Sequence, residues 1–142
     1  MGKINVGRWI LCGVIAGIVG DLVGSLVDGV LLAPRWNAGL LRLGQHAMNS
    51  TQIVEFNVVG IFIGLVGLWI YVGIRPRFGA GPKTAIYAGL TTWILAFLLP
   101  NTAFMYITPL YSRHLTLYTT LGNLVGCVLA VLVGAALYKE EA

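Results

Sequence analysis

The chain has 142 residues, of which 58% are hydrophobic and only 10% charged, against about 25% charged in an ordinary soluble domain. Its net charge of +4 is spread over loops and ends with no basic run, which argues against a nucleic-acid partner and for membrane topology and lipid contact. A mean hydropathy of +0.86 leaves an integral membrane protein.

Four apolar runs fill the length, at about residues 7–32, 52–74, 83–108 and 115–138. Each exceeds the ~20 residues that cross a hydrocarbon core. Lipid cannot satisfy free backbone groups, so helix is the expected state, and the absence of period-2 alternation excludes a barrel. The expectation is one all-α domain over residues 1–142, a transmembrane four-helix bundle with antiparallel neighbours. Lys3 and Arg8 precede the first run as they would in a signal peptide. The apolar pattern continues to Leu32 with no small-x-small site after it, so a retained first span is expected. Bulky Leu11 ahead of Cys12 argues against a lipoprotein.

Three acids, Asp21, Asp28 and Glu55, are the only charges inside the runs, every Lys and Arg lying outside them or at their ends. Carboxylates at bilayer depth are costly and face protein or water. In the first run Gly17, Asp21, Gly24, Ser25 and Asp28 recur at helical spacing and should form one stripe against another helix. Asp21, near mid-span, reads either as a buried acid, neutral or bonded to a neighbour such as Asn123, or as a proton or cation site. Asp28, near the outer end, reads as a solvated helix end or as part of an outer polar cluster. By depth its companions are Asn57, Asn101, Thr119, Thr120 and Asn123, with His46 and His114 in the adjoining loops. That asymmetry suggests a shallow cavity open to the outside. The alternative is plain interhelical hydrogen bonding, at about 0.6 kcal/mol per contact.

Pro34 is expected to end the first helix, and Ser50-Thr51 to cap the second. Glu55 lies in that helix's first turn, where the dipole favours an acid, on a lipid-like stripe with Val59, Phe62, Val66 and Trp69. Asn57, Gly60 and Gly64 occupy the opposite, packing face. Arg75 to Lys83 reads as a tight Gly/Pro turn, with Pro82 suited to the first turn of the third helix. Its cations Arg75, Arg77 and Lys83 should meet anionic lipid headgroups. Pro100-Asn101 should kink the third helix and free a carbonyl near Ala96 or Phe97, and Pro109 should close it. Gly122-x-x-x-Gly126 in the fourth helix repeats Gly60-x-x-x-Gly64 of the second, and Ala88-Gly89 repeats Ala16-Gly17. This suggests a duplicated helical hairpin.

Six Lys and Arg flank the termini and the middle loop, against three in the other two loops. Both termini are therefore expected in the cytoplasm. Cys12 and Cys127 sit inside apolar runs as packing residues. No GxSxG, HExxH, P-loop or CxxC is present, so no catalytic residue, cofactor or metal site is expected. Asp28, Glu55, His46 and His114 offer no pair at ligand spacing.

The blocks Ile74-Arg75-Pro76-Arg77-Phe78-Gly79, Gly81-Pro82-Lys83-Thr84-Ala85 and Leu137-Tyr138-Lys139-Glu140, with the opening Lys3-Ile4-Asn5, resemble a group of small bacterial membrane proteins with four transmembrane helices. The resemblance implies the topology and a bacterial inner membrane, and it carries over no activity. The leading functional expectation is an ion- or small-solute-binding, transport-like bundle using Asp21, Asp28, Asn57, Asn101 and Asn123. The alternative is a non-enzymatic accessory or assembly subunit, with the glycine stripes as docking faces. Association with itself or with a partner membrane protein is expected, and a lipid or quinone enzyme ranks last.

Overall fold

A computed structural model describes residues 3–140 of the chain. Five helices follow in order: α1 (Val6–Leu31), α2 (Ala33–Arg42), α3 (Ser50–Phe78), α4 (Pro82–Tyr106) and α5 (Arg113–Leu137). No strand occurs among the described residues. Helices α1, α3, α4 and α5 are long and apolar enough to cross a membrane, and they pack as an all-α bundle. The first and last described residues and the α3–α4 turn lie at one end, here called the termini end. Helix α2 and the α4–α5 loop lie at the other, distal end.

Two connections differ from the sequence reading. Pro34 does not lead into a loop. It sits in the first turn of α2, where a missing N–H costs no hydrogen bond. Ala33, Trp36, Gly39 and Leu40 face inward at helical spacing, while Arg35, Asn37, Leu41 and Arg42 are exposed, the pattern of an interfacial helix. At the termini end, α3 runs on through Arg75-Pro76-Arg77 to Phe78. Pro76 deletes one bond in the last turns, where helix ends are already short of partners. The turn shrinks to Gly79–Gly81, with φ of 83° at Gly79 and 140° at Gly81, backbone that favours glycine.

The termini half is closed. Cys12, Leu68, Tyr71, Val72, Ala85, Ala88, Val131 and Tyr138 form its buried core. Trp9 Nε1 donates to the Leu65 carbonyl at 3.1 Å and the Gly81 amide to Tyr71 Oη at 3.3 Å. Arg75 pairs with Glu140 at 3.0 Å. Between α1 and α3 the backbones touch: a Cβ on Gly64 would collide with the Gly17 backbone, and one on Gly17 with Cα of Ile61. Gly122 and Gly126 of α5 face Val27 and Val23 of α1. Both glycine pairs therefore address the same helix rather than equivalent helices of two hairpins.

The distal half is open. In α1, Ser25–Leu31 winds as a π-helix, and in α4 so does Ile94–Leu98; neither stretch contains a buried residue. Each precedes a proline, Pro34 or Pro100, whose ring blocks the carbonyl four residues back. The expected distortion of α4 thus takes the form of a wider turn. Over Ser50–Val59 of α3 only Asn57 is half-buried, and every other residue is exposed. Helix α3 packs at the termini end and parts from the bundle toward the distal end.

A Gly64→Ala variant should destabilise the bundle by about 1–3 kcal/mol, because the new methyl meets backbone that cannot move aside. Gly73→Ala meets nothing within 4 Å and should be neutral or stabilising by up to about 1 kcal/mol through helix propensity. Thermal unfolding of the two variants in detergent checks the contrast.

Candidate functional site

The polar groups of the distal half are built on α5, where Thr116, Thr119, Thr120 and Asn123 are all buried. Their spacing places them on one face of the helix. Asp28 meets this face. Its Oδ1 accepts from Thr119 Oγ1 at 2.7 Å and from Trp36 Nε1 at 3.1 Å, and its Oδ2 accepts from Asn123 Nδ2 at 2.9 Å. Asn123 Nδ2 also donates to the Thr119 carbonyl at 2.9 Å. One carboxylate thus ties α1, α2 and α5 together, with both oxygens occupied. Beside it, Asn101 Nδ2 donates to Thr120 Oγ1 at 2.8 Å, and Trp93 Nε1 to the Thr120 carbonyl at 2.7 Å. These bonds fasten α4 to the same face.

Asp21 lies elsewhere. The single stripe expected on α1 is divided between two neighbours: Gly17 and Asp21 face α3, while Gly24 and Asp28 face α5. A π-turn holds more residues than an α-turn, so each residue advances the helix face by less. The π segment at Ser25–Leu31 therefore carries Asp28 off the line through Asp21. The Asp21 carboxylate rests against Gly60, where any Cβ would collide with Oδ1. It is partly exposed and has no hydrogen-bond partner among the described residues. It sits where α1 and α3 begin to part, and it faces a helix rather than lipid. Asn123, expected as its partner, is taken by Asp28.

Of the five residues expected to bind a ligand, the fold joins Asp28 and Asn123 directly and brings Asn101 alongside through Thr120. Asp21 stands apart. Asn57 donates to its own helix, at the Ile53 carbonyl, 2.7 Å away. Glu55 is exposed on the stripe with Val59, Phe62, Val66 and Trp69, all exposed as expected. The three cations of the α3–α4 turn are not equivalent: Arg77 and Lys83 are exposed, while Arg75 is held by Glu140 and lies over the Tyr138 ring at 5.7 Å.

The distal end does carry a cavity, of about 580 Å³, between α2 and the start of α5. Its polar lining is Arg35, Arg42, Tyr111, Ser112, His114 and Tyr118, with no acid. Asp28, Asn57, Asn101, Thr119, Thr120 and Asn123 do not line this cavity; Asp28 is half-buried and bonded to the Trp36 indole. The bond of Trp36 to Asp28 and this cleft escaped the sequence reading, which places Trp36 only near the outer interface. The signal for both was the short segment after Pro34, whose apolar residues repeat at helical spacing.

No protein-family model matches this chain, and comparison with curated proteins and with solved structures also gives no match.

Replacing Asp28 by Ala removes the acceptor shared by Thr119, Trp36 and Asn123 and should cost about 1–3 kcal/mol, the penalty for losing the partner of buried or half-buried polar groups. The Trp36 emission should shift as its indole N–H is released. Unchanged stability and emission would mean that the carboxylate does not hold α2.

Proposed function

We propose that the protein is a small-solute- or ion-binding membrane bundle of transport-like design, closed at the termini end and open between α1 and α3 at the distal end. Asp21 is its chemical group and the Asp28 network its frame. The observation that carries this reading is the contrast between the two acids. Asp28 has every oxygen engaged. Asp21 has no hydrogen-bond partner among the described residues, and its carboxylate rests against Gly60, which leaves it room. An intramembrane acid without a protein partner is suited to a proton or a cation. No catalytic set accompanies it, so the reading is binding or translocation rather than turnover.

The placement proposed is the inner membrane of a bacterium, with both termini cytoplasmic, following the bias of cations toward the termini end. Reporters fused after Ala142 and inserted at Ala47 should give opposite signals. An external carboxyl end would reverse the orientation.

A second reading, an accessory subunit or self-associating bundle, is favoured by the distal stretch of α3, which is exposed except at half-buried Asn57, with Phe56 at 66%. A partner helix could fill the same opening. The two readings separate in one experiment. Cys12 and Cys127 are buried and can be replaced by Ala, leaving Ser25→Cys as the only thiol. In sealed vesicles a membrane-impermeant maleimide should label it rapidly from the distal side if the opening holds water. Phe62→Cys, on the lipid face, should stay slow. Protection of Ser25→Cys in membranes that is lost on extraction into detergent would favour a partner chain and sink the solute reading.

A further inference from the structure

We propose that the cleft between α2 and the start of α5 binds a phosphate-bearing anion through Arg35, Arg42, His114 and the first amides of α5. This site is separate from the α1–α3 opening, so it stands or falls independently of the reading above. Its volume of about 580 Å³ lies within the range of small-ligand sites. It has room for a phosphate together with the glycerol of a headgroup or of a small ester.

The charge is one-sided. Two guanidiniums and an imidazole line the cleft with no carboxylate, and no described acid forms an ion pair with any of them. Arg35 and Arg42 lie two turns apart on one side of α2. Each guanidinium can fork onto two oxygens of a phosphate, a fit that a lone ammonium does not give. A single carboxylate would use one such fork and leave the other cation unmatched, whereas a phosphate offers oxygens to both.

The opposite wall is the N-terminus of a 25-residue helix. The Ser112 hydroxyl caps the Leu115 amide at 3.3 Å. The first amides of the helix have no acceptor within it; of the residues that carry them, His114 lines the cleft, at the positive end of the helix dipole.

The walls are set before any ligand arrives. A Cβ on Gly39 would stand 2.9 Å from the Tyr111 ring, so only glycine lets α2 close to this depth. Tyr111 packs edge-on against Trp36 with ring centroids 4.8 Å apart, and Trp36 is itself tied to Asp28. The Arg35 guanidinium lies over the Tyr118 ring at 5.1 Å, which confines a long side chain at the rim. Ordering lost before binding is not lost again on binding.

A phosphate of this kind could belong to a lipid headgroup or to a soluble ester, and one titration distinguishes them. Full-length protein in a non-ionic detergent is titrated with dihexanoyl phosphatidylglycerol, with glycerol 3-phosphate and with dihexanoyl phosphatidylcholine. Binding of phosphatidylglycerol alone, weakened at least about tenfold in Arg35→Gln/Arg42→Gln, assigns the site to a headgroup. Binding of glycerol 3-phosphate with the same loss assigns it to a free ester. Arg42→Gln alone, altered at an exposed side chain in the last turn of α2, should show a smaller loss in the same direction and keeps the test valid if the double variant does not fold. Absence of binding by both anions, equal binding by phosphatidylcholine, or wild-type affinity in the Arg variants would overturn the proposal.

Discussion

The backbone contact between α1 and α3 is the constraint on which the rest depends. Lipid tails are as apolar as leucine, so helices in a bilayer gain little by hiding apolar side chains from it. They gain by approaching closely, and Gly13, Gly17 and Gly64 allow α1 and α3 to approach until main chain meets main chain. That crossing fixes the two helices at one level of the bundle. Toward the termini, tryptophans, tyrosines and an ion pair extend the closure. Away from them the helices are free to part.

What happens beyond the crossing is decided by two prolines. Pro34 and Pro100 each stand just past a π-helical stretch, one in α1 and one in α4. The wider turns rotate the side chains that follow. In α1 this separates two acids that an uninterrupted α-helix would have kept on one line. Asp28 turns to α5 and becomes a joint among three helices. Asp21 stays toward α3, beside Gly60, without a partner. One sequence pattern thus gives a structural acid and a chemically available one. The same joint braces Trp36, and through it the wall of the cationic cleft, so the frame of the distal end also sets the geometry of its surface site.

The four spans were legible because length and hydropathy alone specify them, and the lipid-facing stripe through Glu55, Val59 and Phe62 was legible because exposure in a bilayer follows helical period. The joining of Asp28 to Asn123 was foreshadowed by depth. The separation of Asp21 from Asp28 was not, since spacing arguments assume a constant helical turn, and Pro34 reads as the end of the helix rather than as the cause of a wider turn ahead of it. Helix α2 was hidden by Pro34, which reads as a helix end and serves equally as a helix start. Arg75 looked like its neighbours Arg77 and Lys83 because its partner Glu140 lies at the far end of the sequence, where only the fold can bring it near.

The central claim is that α1 and α3 close at the glycine crossing and diverge toward the distal end. Spin labels at Ile10 and Trp69 lie on the closed side, and labels at Leu26 and Ile53 lie at the matching antiparallel register on the open side. All four positions are exposed, so labelling disturbs little buried packing. Pulsed electron–electron distances in lipid nanodiscs should be short and narrow for the first pair, and longer and broader for the second. Equal, narrow distances for both pairs would mean parallel helices with no opening, and would contradict the account.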